Sequence, residues 1–270
     1  MSKKLKLLCV LAHPDDEALG NGGMLAKYAA EGIETYLVTA TRGERGWLDE
    51  KSEYPGEEAL GKRREAELHA AAKVLGLRQV VLLDYIDGEL DQATPAEVRA
   101  KIVEQIRHVR PDVVVTFGPD GGYGHPDHIA ISQLTTAALL EAAYPDSSYL
   151  SDLPPHRVSK LYYMVLSPAL FLAYQSVFGE LVMQVDGTQR QGVVWPEWEI
   201  TTRLATAEYR QQTWDAILCH GSQLNVYHQL KHLSQDFQRE LWESQVYYRA
   251  LSLVNGGRTR EDDLFAGLRS

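Results

Sequence analysis

The sequence predicts an α/β fold, a mainly parallel sheet covered by helices on both faces. Three observations carry this expectation. Unbroken apolar runs such as "LLCVLA" and "DVVVTF" have the composition of strands buried on both faces. Stretches with helical spacing of apolar residues lie between them. Gly, Pro or capping residues mark the changes from one to the other, and such alternation builds a sheet from parallel strands and crossover helices.

Residues 5–12 are apolar with few breaks and read as the first strand. Leu19, Met24, Leu25, Tyr28 and Ala29 give 18–31 a helical face. "IETYLVTA" (33–40) is the second strand, followed by a loop of Gly, Arg and Glu. Residues 57–75 are rich in Ala, Leu, Glu and Arg, and Gly76 is a helix stop. "QVVLLDY" (79–85) is the third strand. "TPAE" (94–97) reads as a capping box with Thr94 as N-cap, Pro95 at N1 and Glu97 at N3. That helix should end before Pro111. "DVVVTF" (112–117) is the fourth strand and 127–143 the helix after it.

The second half is less regular. Residues 160–167 read as a strand. "VVWPEWEITTRL" (193–204) combines Pro with alternation, which favours edge strands or a hairpin. Residues 205–220 and 229–243 read as helices and 245–254 as a last strand. No repeat, linker or composition break divides the chain. The expectation is a single domain over 1–255 and a mobile C-terminal tail over 256–270.

The chain has 270 residues, 44% of them hydrophobic and 24% charged, as in an ordinary globular protein. A net charge of −10 without a Lys/Arg run argues against a nucleic-acid partner. Cys9 and Cys219 form no CxxC pair and imply no disulfide framework. The basic, then apolar start is too short for a signal peptide and is interrupted by His13, Asp15 and Asp16. No run reaches the ~18 apolar residues of a membrane helix. A cytoplasmic protein that is not inserted in a membrane is expected.

"AHPDDE" (12–17) follows the first strand and "GHPDH" (124–128) follows the fourth. Ligands bind outside the carboxyl ends of strands in open parallel sheets, so the two His-Pro-Asp motifs can meet. Proline keeps His13 and His125 out of the helix that follows. Asp15 and Asp16 then diverge by about 100° as the chain enters that helix. Two histidines and a carboxylate with an open fourth position make a catalytic zinc set, and we assign it to His13, Asp16 and His128. Asp15 is then the base for the attacking water, while Tyr123 and His125 stabilise the oxyanion or protonate the leaving nitrogen. The plainer reading is that Asp15, Asp16 and Glu17 only complement a helix dipole. The recurrence of His-Pro-Asp at a second strand end speaks against it for the two aspartates; Glu17 stays a helix-start acid.

These motifs resemble the LmbE-like, or PIG-L, family of zinc-dependent N-acetylglucosaminyl deacetylases. The resemblance includes "TRGERG" (41–46), "RREAELHAAAKVLG" (63–76), "DYIDGEL" (84–90), "HGSQ" (220–223) and "DDLFAGL" (262–268). It implies a Rossmann-like fold, one zinc or other divalent metal per chain, and removal of an N-acetyl or N-acyl group from an amino sugar. It assigns ligation to His13, Asp16 and His128, the base to Asp15, and assistance to His125 and Tyr123. It also implies sugar contacts from Glu44, Arg64 and Asp87, with Arg63 competing for the place of Arg64. From the residues alone, Arg64 reads as a solvated helix position, Asp87 as a turn residue and Glu44 as part of a loop. His220 reads equally as a group behind the site or a helix-end histidine. Trp195 and Trp198 suit either a sugar site or core packing. A homo-oligomer is compatible with the sequence.

Three other readings compete. A dinucleotide-binding module is disfavoured because "GNGG" (20–23) is not GxGxxG and "VTAT" lacks the ribose-binding acid. A metal-dependent phosphoesterase would need ligands for a second metal. A non-catalytic sugar-binding relative would have lost Asp15 or a ligand, and both remain.

Overall fold

The structure, a computed structural model, describes residues 4–47, 53–145, 151–185, 187–257 and 259–269. Strand β1 (Lys6–Leu11) is the apolar run that opens the sequence, and it is buried on both faces. Then come α1 (Asp16–Leu19), α2 (Gly22–Ala30), β2 (Glu34–Thr41), α3 (Glu57–Leu75), β3 (Gln79–Tyr85), α4 (Pro95–Val109) and β4 (Val113–Phe117). The one-turn α5 (Gly121–Gly124), α6 (Pro126–Ala142) and β5 (Lys160–Met164) complete the regular part.

Beyond β5 lie α7 (Pro168–Phe178), β6 (Val182–Val185), β7 (Thr188–Gln191), β8 (Thr202–Ala205), α8 (Arg210–Cys219), α9 (Leu224–Tyr227), α10 (Gln235–Trp242) and β9 (Ser244–Ser252). The main sheet has the order β3-β2-β1-β4-β5-β9-β8. Strands β1 to β5 run parallel, and β9 and β8 extend the sheet antiparallel. The expected α/β architecture is therefore present, with its antiparallel extension in the C-terminal half.

This order decides where a ligand can sit. The chain winds outward from β1 through β2 to β3, then crosses back to β4 on the other side of β1. The carboxyl ends of β1 and β4 flank that reversal, where connections diverge and leave a crevice. Both His-Pro-Asp motifs leave from those two ends.

Several local expectations change. The helix expected over 18–31 is split at Gly20 and Asn21. A Cβ at Gly20 would run into Cε of Met164, and Cβ atoms at Gly22 and Gly23 would strike Thr213 and Thr206 at 2.7 Å. The "GNGG" run is thus a close-packing contact. Thr94 does not cap α4 with its side chain; its carbonyl accepts the N–H groups of Glu97 and Val98 instead. Of the edge strands or hairpin expected within 193–204, β8 is an edge strand of the main sheet, and the hairpin lies earlier, between β6 and β7. Helix α7 was not anticipated, although Ser167 caps it through Leu170 N–H and Pro168 holds its first turn.

The segment expected to be a mobile tail is anchored where it is described. Leu264 and Phe265 are fully buried, and Phe265 packs edge-on to Tyr28 at 5.0 Å. Its apolar pair "LF" outweighs the polar "GGRTREDD" before it. Buried Glu261 lies 2.8 Å from Lys160 Nζ, 2.7 Å from Arg249 Nη1 and 2.6 Å from the Tyr162 hydroxyl that donates to it. Glu261→Gln leaves two buried cations without a counter-charge. It is expected to lower stability by roughly 3–5 kcal/mol in urea unfolding; an unchanged midpoint and slope would show that this cluster contributes nothing. Among the described residues, no helix is long and apolar enough to cross a membrane.

Candidate active site

The first motif leaves β1 through a sharp bend. Asp15 has φ 107°, a left-handed conformation rarely adopted by a non-glycine residue. Its N–H donates to Glu17 Oε2 at 2.9 Å, and Glu17 Oε1 lies 2.7 Å from His220 Nε2. Glu17 and His220 are both fully buried. Glu17 stands in the first turn of α1, as expected of a helix-start acid, but it is buried, and with His220 it braces the bend behind Asp15.

The bend sends the two aspartates to different partners. Asp16 Oδ2 accepts the N–H groups of Ala12 and His13, at 3.1 and 2.8 Å. Asp15 Oδ2 accepts from Arg64 Nη2 at 2.8 Å and from the Tyr227 hydroxyl at 2.7 Å. Burial raises the Asp15 pKa against the opposing charge of Arg64. Burial also raises that of Asp16 to about 6, against the charge of His13 and the backbone N–H groups.

The second motif supplies His128 from the first turn of α6. Its ring stacks on Phe117 at 3.8 Å, and its Nδ1 lies 3.1 Å from the Gly121 carbonyl. A carbonyl only accepts, so the proton belongs on Nδ1 and the Nε2 lone pair points inward. His13 has the mirrored arrangement. Its Nε2 lies 3.1 Å from Asp127 Oδ2 and 3.1 Å from Asp87 Oδ1, so Nε2 carries the proton and Nδ1 points inward. The two inward nitrogens are 3.1 Å apart. Asp16 completes the group, with Oδ1 3.6 Å from His128 Nε2 and Oδ2 3.8 Å from His13 Nδ1.

Three electron-pair donors turned toward one another need a cation. A tetrahedral metal with bonds of about 2.0–2.1 Å has ligand–ligand edges of roughly 3.3 Å, close to these separations. The donor set therefore fits a metal such as zinc. Burial lowers the His13 pKa, but the Asp127 and Asp87 carboxylates outweigh burial and push it up to about 10, so a metal bound at Nδ1 would displace a proton held there against His128. The surroundings stabilise positive charge at this ring. Two other compact ligand-capable groups occur among the described residues, His13 with His125 and His128, and His13 with Asp87 and Asp127. In the second, the carboxylates face the protonated Nε2 of His13 and so orient the ring.

His125 packs 4.6 Å from His13 and 4.7 Å from His128, centroid to centroid. Its Nδ1 accepts the Asp127 N–H at 3.2 Å, which places the proton on Nε2. Burial, with the neighbouring His13 and His128, lowers its pKa to about 3, so the ring is a neutral donor. The Tyr123 ring is 5.3 Å from that of His128, and burial raises its pKa.

Of the positions expected to touch a sugar, Arg64 and Asp87 line the same pocket, and Glu44 stands behind Asp87. Arg64 is only 4% exposed and spans Gly43 O, Pro14 O and Asp15, so the solvated-face reading is wrong for it. Arg63 is exposed and pairs with Glu67 one turn on. Asp87 accepts the Arg45 N–H and meets His13. Burial disfavours its charge, but His13 and Arg64 hold its carboxyl well below the usual carboxylate range. Glu44 Oε1 accepts the Asp87 N–H, while among the described residues its buried Oε2 has no hydrogen-bond partner. The tryptophans stand apart: Trp195 donates to Asp120 and packs on Tyr248, and Trp198 is 71% exposed.

Sequence reasoning missed Asp127, Tyr227 and Gln223. Asp127 repeats the position of Asp15 within His-Pro-Asp, a usable signal. Gln223 is the last residue of "HGSQ", and Tyr227 had no signal beyond its nearness to it. Gln223 and Tyr227 line a cavity of about 560 Å³ together with His13, Asp15, Asp16, Arg64, His125 and His128, while Asp127 stands behind His13.

Residues 8–139 match the family described as PIG-L: GlcNAc-PI de-N-acetylase. A 1D-myo-inositol 2-acetamido-2-deoxy-alpha-D-glucopyranoside deacetylase of Streptomyces griseus subsp. griseus is 36% identical, over 97% of this chain and 89% of that protein. A mycothiol S-conjugate amidase of Streptomyces coelicolor is 30% identical over 100% of this chain and 99% of that one. Among solved structures, a conserved protein of Thermus thermophilus superposes with TM-score 0.67 at 25% identity, over 95% of this chain and 99% of that one. The N,N'-diacetylchitobiose deacetylase of Pyrococcus horikoshii has the same TM-score at 21% identity, over 90% and 83%, a likeness of fold.

Proposed function

The chain belongs to the PIG-L family, and on that premise we propose that it is a metal-dependent hydrolase that removes an N-acetyl or related N-acyl group from an amino sugar. One observation carries the reading: the inward lone pairs of His13 and His128 meet Asp16, while the neighbouring Asp15 is turned away and held separately.

His13, Asp16 and His128 would hold the metal. Zinc, which suits these nitrogen and oxygen donors, would supply Lewis-acid chemistry there, lowering the pKa of water from 15.7 toward about 7 and polarising a carbonyl. Asp15 takes the proton of the attacking water. Arg64 and Tyr227 occupy its Oδ2 and leave Oδ1 for that work. His125, with its proton on Nε2, donates to the oxygen that gains charge, and Tyr123 closes the same side. Asp127 and Asp87 fix the His13 ring. Asp87 and Gln223 line the cavity and offer polar groups that suit sugar hydroxyls.

A phosphoesterase reading is weaker here, because Asp87 and Asp127 face a protonated nitrogen already used to orient His13. The test is acetate release from N-acetylglucosaminyl glycosides by zinc-loaded protein, before and after chelation. Stoichiometric acetate and amine that vanish with the metal and return with zinc are expected. Turnover of phosphate esters in place of amides would overturn the reading, as would sugar binding without turnover.

A further inference from the structure

The cavity has two unlike walls. Asp15, Arg64, Asp87, Gln223 and Tyr227 form one. The other is apolar and comes from elements that the regular part of the fold does not supply: Leu170, Tyr174 and Phe178 from α7, Leu181 and Met183 at the hairpin, and Met164 at the end of β5. The polar groups on this side are already engaged or lie at the rim. Gln245 accepts the Met24 N–H and donates to Gly20 O, and the Tyr174 hydroxyl reaches Leu19 O at 3.5 Å. Glu180 is exposed. The wall is continuous with the metal-ligand cluster: α1 carries Asp16 and, one turn later, Leu19, and Gly122 O accepts the Val193 N–H just beyond the hairpin.

An N-acyl amino sugar is polar on the nitrogen side of its scissile bond and apolar on the carbonyl side. With that bond at His13, Asp16 and His128, only one orientation pairs each side with its like. The opposite orientation would leave sugar hydroxyls without partners against α7. A cavity of about 560 Å³ is in the range that takes a drug-sized ligand. Resting on the hydrolase reading above, we infer that the α7–hairpin wall is an acyl subsite, and that the preferred substrate carries an N-acyl chain longer and more apolar than acetyl. Water adds to the amide carbonyl, the C–N bond breaks, the chain leaves as a carboxylate, and the sugar nitrogen takes up a proton to leave as the amine.

The test uses methyl glycosides of glucosamine carrying N-acetyl, N-butanoyl, N-hexanoyl or N-octanoyl groups, with release of free amine by the zinc-loaded protein as a common readout. From acetyl to hexanoyl, kcat/KM is expected to rise about tenfold or more. Leu170→Gln and Met183→Gln should each shrink that ratio. Calorimetry of the N-octanoyl compound against Asp15→Asn should show tighter binding than for N-acetyl, independently of turnover. A flat or falling series with amine still released overturns the acyl subsite and leaves the hydrolase reading standing. A gain from an octyl aglycone in place of a longer acyl chain also overturns it, by assigning the wall to the aglycone. No amine from any compound overturns the hydrolase reading and the subsite with it.

Discussion

Asp15→Asn is expected to lower kcat by roughly 10²–10⁴-fold, the usual worth of a general base, while metal content stays near one per chain. The substitution isolates the proton-accepting role. Asn has the same shape, and it is among the residues that tolerate a left-handed backbone, so the φ of 107° at this position survives. Asp15 directs Oδ2 to Arg64 and Tyr227 and makes no contact with the inward nitrogens of His13 and His128, so no ligand is lost. Steady-state kinetics with elemental analysis of the same sample checks both halves. A variant that keeps its rate, or that loses its metal, would remove Asp15 from the role of base. The acidic limb of the pH–rate profile belongs to the coupled water and carboxylate, not to Asp15 alone.

His128→Ala is expected to abolish activity at stoichiometric metal, with occupancy falling far below one per chain. It removes one of three donors, and the Nε2 that remains nearest to His13 Nδ1 goes with it. The loss of metal affinity should exceed the roughly 10–100-fold cost of removing a group that only orients a ligand. Asp127→Asn supplies that comparison, since Asp127 touches His13 through the outward Nε2. Excess zinc should restore part of the activity of Asp127→Asn and little of that of His128→Ala. Full metal occupancy in His128→Ala would reject the ligand assignment.

Much of this was legible in the chain because it is local. β1 and β4 are continuous apolar runs, and nothing but a doubly covered central position suits them. Proline after each histidine marks a strand-to-helix corner, and two such corners at strand ends converge once the sheet is parallel. Even so, the split between α1 and α2 escaped periodicity, because Gly20, Gly22 and Gly23 answer to Met164, Thr213 and Thr206, far along the chain.

By itself, the sequence determined the parallel α/β core, the two His-Pro-Asp corners and the residue types that can grip a metal, since each depends on neighbours within a few positions. Tertiary structure alone decided what each charged side chain faces. Arg64 sits on a helix that reads as solvent-exposed, yet it is buried because the loop through Gly43 folds over it and Asp15 answers its charge. Glu17 reads as a first-turn acid, yet a histidine more than two hundred residues away pairs with it. Asp127, in the first turn of α6, and Asp87, in the turn after β3, meet on one nitrogen of His13. The apolar wall likewise arises only when α7 and the hairpin close over the ends of β4 and β5. A buried charge must find its partner wherever the fold brings one, and sequence distance carries no information about which one that will be.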